Sequence, residues 1–119
     1  MQTSNKVSQY QLTGASGHPV TALRYTGDIS SASRDAVVGS YEALDKGTGL
    51  SVLLDFKGVE YLNSSGIALV IQVLMAAAKV KQTVAICGLT THFTKVFTMV
   101  GITKYANLYP DEGTALAAL

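Results

Sequence analysis

The sequence predicts an α/β fold in which a small mixed β-sheet opens with an N-terminal hairpin and packs against about four helices. Three observations lead there. Two loosely alternating segments near the N-terminus flank a Gly/Pro-rich turn, as the strands of a hairpin do. Short apolar runs then alternate with segments of helical spacing, and strands separated by helices imply right-handed crossovers and parallel pairing. Finally, 119 residues make one domain by ordinary size priors, and a composition 48% hydrophobic and 14% charged supplies a core. A chain of this length buries roughly two thirds of its unfolded surface, so it needs no staple.

In order, Val7 to Leu12 reads as an edge strand, and Gly14-Ala15-Ser16-Gly17-His18-Pro19 as a turn. Val20 to Tyr25 (VTALRY) returns as the second hairpin strand, and Gly27-Asp28-Ile29-Ser30-Ser31 breaks the pattern. A helix follows, capped by Ser31 or Ser33, with Ala36, Val37, Tyr41 and Leu44 at helical spacing and Gly47 and Gly49 ending it. Leu50 to Phe56 (LSVLLDF) is nearly all apolar, as a strand covered on both faces is. A short loop then leads to a helix from Ser64 to Val80, whose expected buried stripe is Ile67, Val70, Ile71, Leu74, Met75 and Ala78. Thr83 to Cys87 (TVAIC) is a buried strand. Thr90 to Val100 is a helix with Phe93, Val96, Phe97 and Val100 facing inward, stopped by Gly101. Tyr105 to Tyr109 makes a last edge strand, and Asp111 to Leu119 a short helix after Pro110.

Composition excludes several functions. Net charge is +1 and no run of Lys or Arg occurs, so neither the basic stripe of a nucleic-acid binder nor a basic membrane-surface helix is present. Cys87 is the single cysteine, which rules out a disulfide within the chain and a cysteine metal cluster. A reducing cytoplasm fits that usage, and Met1 to Lys6 lacks the layout of a signal peptide. The longest apolar segment, Ile67 to Val80, contains Gln72 and Lys79 and is too short for a bilayer span, so no membrane insertion is expected. No dinucleotide fingerprint, phosphate-binding loop, serine elbow or carboxylate pair is readable, and His18 and His92 have no partner spaced for a metal. The expectation is a protein without cofactor, metal or catalytic turnover. Cys87 reads as a small core hydrophobe.

The informative stretch is Asp55-Phe56-Lys57-Gly58-Val59-Glu60-Tyr61-Leu62-Asn63-Ser64-Ser65-Gly66-Ile67. It joins the end of a buried strand to the start of a helix, and α/β sheets favour sites at the carboxyl ends of strands. Ser64 and Ser65 lie where a helix N-terminus presents unpaired amides, which favour an anion. A phosphoserine there carries about −1.5 to −2 charges and three acceptor oxygens. The plainer reading is that Asn63 or Ser64 caps the helix, worth about 1 kcal/mol. Asp55 either hydrogen-bonds loop amides or shapes a partner surface. Lys57 and Glu60 read as partner contacts or solvated charge, and Tyr61 as an interface anchor or a half-buried loop residue.

The segment from Asp55 to Gly66 resembles the signature of the STAS domain, named for sulfate transporters and anti-sigma factor antagonists. Asp55, Val59, Asn63, Ser64, Ser65 and Gly66 fall on its pattern. Thr26-Gly27-Asp28-Ile29 is similar to an earlier turn of that family, and Val96-Phe97-Thr98-Met99-Val100-Gly101-Ile102 to a late one. The likeness runs from about Val7 to Leu116 and implies one STAS-like domain over residues 1–119. For the antagonist type it implies that an anti-sigma factor with serine kinase activity phosphorylates the first serine of the motif, Ser64. The unphosphorylated form then binds that factor and releases the sigma factor, and a serine phosphatase reverses the mark. The residues implied to meet the partner are Asp28, Ser30, Lys57, Tyr61, Asn63, Ser64, Ser65 and Gly66. Ser30 and Asn63 stand where antagonists often have Asp, so both lessen the negative charge near Ser64. The alternative within the resemblance is a STAS subunit of another assembly, such as a lipid-transport or larger signalling complex.

Overall fold

The computed structural model describes residues 6–44 and 50–119. Five strands form one sheet in the order β1 (Lys6–Thr13), β2 (Pro19–Ile29), β3 (Ser51–Leu62), β4 (Val84–Cys87) and β5 (Asn107–Tyr109). The β1–β2 hairpin is antiparallel and every later pairing is parallel. The helices are α1 (Ser40–Glu42), α2 (Ser64–Lys79), α3 (Thr91–Met99) and α4 (Glu112–Ala118). The mixed α/β sheet with an opening hairpin is therefore as expected.

The two faces of the sheet are covered unequally. The larger core joins Leu23, Leu54, Phe56 and Ile86 to Val37 and Tyr41, to Val70, Val73 and Leu74 of α2, and to Phe97 of α3. A chain of rings runs through it: Tyr25 to Phe56 at 5.4 Å and Phe56 to Phe97 at 5.8 Å, the second edge-on, an arrangement that favours aromatic pairs. The smaller core puts Ala115 of α4 against Val20, Ala22, Leu53, Ala85 and Cys87.

Several boundaries differ from the sequence reading. β2 runs on through Gly27 and Asp28 to Ile29, and β3 continues through the expected loop to Leu62. The two extensions pair with each other, Thr26↔Gly58 to Ile29↔Leu62, with two register shifts that each add a residue to β3. Glycines and charges mark the stretch as a loop locally, but pairing with a strand distant in sequence keeps it extended. The segment after Ile29 is distorted: a 3₁₀ turn at Ser31–Ser33, a π turn at Asp35–Gly39, then α1. Ser30 caps it, in place of Ser31 or Ser33, and shares a capping box with Ser33. The expected stop at Gly47 and Gly49 lies outside the described residues.

The buried stripe of α2 is Gly66, Leu69, Val70, Val73, Leu74 and Ala77. Val70 and Leu74 are as expected; Met75 and Ala78 face solvent, and Ile67 and Ile71 lie at the margin. The helix is apolar almost all round, so side-chain pattern alone does not set its rotation. Val100 is likewise exposed, beyond the end of α3. Gly101 ends that helix in the left-handed region at φ 87°, as a glycine stop requires. The last strand covers Asn107–Tyr109 only, because a 3₁₀ turn occupies Ile102–Lys104.

Candidate functional site

Ser64 is the first residue of α2 and is exposed, as is Ser65. Asn63, extended at φ −95° and ψ 179°, is the N-cap: its Oδ1 accepts from the Gly66 amide at 2.8 Å, and its carbonyl accepts from Ile67. One of the helix's orphan donors is therefore already taken. The amides of Ser64 and Ser65 have no acceptor among the described residues, so they are the donors left for an anion.

The helix start is pinned to β2. The Asn63 amide donates to the Ile29 carbonyl at 3.3 Å. A Cβ on Gly66 would lie 2.4 Å from that same oxygen and 2.9 Å from the Ile29 carbonyl carbon. Only a residue without a side chain lets α2 approach this closely, which explains the glycine two places after Ser64.

Register brings further sequence-derived candidates to the same end of the molecule. Asp28 pairs with Tyr61, and Ile29 with Leu62, one residue before the cap. Tyr61 is 56% exposed, a large ring held by a paired strand rather than by a loop. Ser30 follows Ile29 and is half-buried, its hydroxyl engaged by the Ala32 amide. Lys57 is not part of this group. It lines a cleft of about 810 Å³ with Arg24, Asp55, Gly58, Gly88 and Glu112, on the α4 side of the sheet.

Sequence reasoning missed that cleft as a unit. Arg24 donates from Nε to Glu112 Oε1 at 3.1 Å and lies 3.5 Å from Asp55 Oδ2. Its guanidinium also stacks 3.9 Å above the Tyr10 ring. Asp55 is 8% exposed, and its Oδ1 accepts from the Lys57 amide at 2.9 Å, beside the first register shift. The hydrogen bond to a nearby amide, one of the two roles the sequence leaves open to Asp55, is present. Gly88, at φ 80°, closes the arrangement: a Cβ there would sit 2.6 Å from the Lys57 nitrogen. Arg24 and Glu112 are too far apart in sequence for any spacing rule to pair them.

Cys87 is buried in the smaller core, and burial pushes its thiol up to about 12. His18 and His92 are exposed. Among the described residues no group of three His, Cys, Asp or Glu side chains is placed to hold a metal ion, and no helix is long and apolar enough to cross a membrane.

The family model described as "Mlab, STAS domain" matches residues 12–110. The chain belongs to the STAS domain family. Among solved structures, an anti-sigma factor antagonist from Mycobacterium paratuberculosis is 18% identical, with 97% of this STAS chain and 93% of that chain covered and a TM-score of 0.73. The Bacillus cell fate determinant SpoIIAA in its phosphorylated form is 14% identical, with 92% and 96% covered and a TM-score of 0.66. The murine Solute Carrier 26 family member A9 anion transporter is 13% identical over 95% of this chain, which corresponds to 22% of the transporter, with a TM-score of 0.72. At these identities the likeness establishes the shared fold. No curated protein matches the chain in sequence.

Proposed function

We propose that this STAS domain is an anti-sigma factor antagonist, a protein-binding module switched by phosphorylation of Ser64. In the unphosphorylated form it binds an anti-sigma factor with serine kinase activity and so frees the sigma factor; the phosphorylated form lets go until a serine phosphatase restores it. The observation that carries the reading is the placement of Ser64: exposed, first in α2, with two free amides beside it, on a helix start held to β2 through Ile29. Those amides accommodate the phosphate without melting the helix, so the charge acts on the partner and not on the fold. Exposed Tyr61 supplies the adjacent apolar contact, and Asp28, Ser30, Asn63, Ser65 and Gly66 frame it. The module itself turns nothing over and acts in the cytoplasm.

A second reading draws support from the transporter likeness, in which a domain of this fold forms 22% of a larger chain. There the domain is a STAS subunit of another assembly, such as a lipid-transport complex. Affinity capture from native lysate separates the two. Wild-type bait should retain a serine kinase that Ser64→Asp bait does not. Retention of transport-complex components by both baits would favour the second reading.

A further inference from the structure

The open strand edges of the sheet among the described residues differ in how they are protected. β5 offers a template of three residues. β3 beyond its pairing with β4 is bent by two register shifts and carries Lys57 and Glu60. Short length, bulges and charges are the usual devices against strand addition. The outer edge of β1 has none of them beyond its first residue. Its eight residues, KVSQYQLT, pair with β2 in unbroken register from Lys6↔Thr26 to Thr13↔Pro19. They include no proline, and the single charge, Lys6, is at the first position. Every second residue of such a strand directs its N–H and C=O away from the hairpin.

We propose that β1 is a self-association edge, along which two copies of this chain join their sheets by antiparallel β1–β1 pairing. The distribution of charge fits a second copy in that orientation and disfavours a parallel one. A two-fold axis normal to the sheet at Gln9 sets Lys6 opposite Leu12, and one at Tyr10 sets it beyond Thr13. In neither register does a lysine meet its own copy, whereas parallel self-pairing would oppose the two Lys6 side chains. Tyr10 lies at or beside the axis in both, 42% exposed and already held beneath Arg24 at 3.9 Å, so it enters the contact preorganised. Isologous pairing of this kind closes on itself and does not run on into fibres. β2 separates β1 from β3, so the dimer leaves the Ser64 site of each copy uncovered.

Sedimentation equilibrium of the full chain over a concentration series tests this. The expected result is a species at twice 12.5 kDa. Gln9 is exposed and near the axis in either register. Gln9→Lys and Gln9→Glu should each raise the dimer dissociation constant about tenfold or more through like-charge opposition. An equimolar mixture of the two should recover association, which a misfolded variant does not do. Hydrogen exchange should slow at β1 amides on dimerisation. A monomer at every concentration, a dimer untouched by both charges, or protection confined to another element would each overturn the proposal. So would capture of a different protein by β1 in place of the second copy.

Discussion

Replacing Gly66 with alanine should destabilise the chain by about 1–2 kcal/mol, against the ordinary preference of helices for alanine. Overpacking costs about 1–3 kcal/mol, and the upper half applies where the obstruction is backbone. Here the new Cβ would meet the Ile29 carbonyl oxygen at 2.4 Å. Helix propensity returns up to about 1 kcal/mol for Gly→Ala. For a domain of this size the net loss lowers Tm by roughly 4–8 °C. The relief available is a retreat of α2 from β2, which also lengthens the Asn63 N–H to Ile29 bond and moves Ser64. Gly39→Ala is the matched control. It sits in helical backbone at φ −62° and ψ −41°, where a Cβ would meet only Asp35 Cβ at 3.9 Å. It should gain about 0.5–1 kcal/mol by the same propensity. Paired thermal melts read both, with amide exchange at Asn63 and Gly66 reporting the displacement. A Gly66→Ala protein as stable as its parent, with those amides unchanged, would refute the close contact as the lock on the helix.

Three other outcomes are open to measurement. Asn63→Ala should cost about 1 kcal/mol through loss of the cap, and Asn63→Asp should restore it, since a carboxylate also accepts from Gly66 and favours the helix N-terminus; denaturant titrations compare the three. Asp111 is held below the ordinary value of 3.8 by the Thr114 backbone amide, then by the Thr114 hydroxyl. Because its pKa is lower in the folded state, its contribution is complete above 3.8 and fades as pH falls through the folded value, so Asp111→Asn should lose less stability than the parent as pH falls below 3.8. Cys87, its thiol pushed up to about 12 by burial, should resist a disulfide reagent at pH 8 until denaturant is added; fast native labelling would contradict its buried placement.

Local pattern carried the strand and helix order because each element has its own period and punctuation: the apolar run Leu50 to Phe56, the left-handed Gly101, the Thr90 cap whose hydroxyl accepts from Phe93. It failed where long-range contacts decide. Lys57 to Leu62 has the glycine and charges of a loop, and only pairing with Thr26 to Ile29 makes it strand. The rotation of α2 follows from the approach of Gly66 to Ile29, because a helix with so many apolar side chains offers no unique face. That Ser64 opens a helix was legible through its motif; that Asp28 lies opposite Tyr61 was not, since it rests on the same strand pairing. Nor was the Arg24–Asp55–Glu112 cluster, since the fold joins residues from β2, β3 and α4.

We propose that charge at Ser64 acts on the partner surface while the fold stands. Its most direct test is calorimetric titration of the captured kinase into wild-type, Ser64→Ala and Ser64→Asp proteins, with melting curves of all three. A charge buried unpaired in an interface costs several kcal/mol, and each 1.4 kcal/mol is about tenfold in affinity. Ser64→Asp should therefore bind at least about tenfold more weakly at unchanged Tm, and Ser64→Ala should bind as the parent does. Binding of Ser64→Asp at parental affinity, or weak binding that tracks a fallen Tm, would contradict the account.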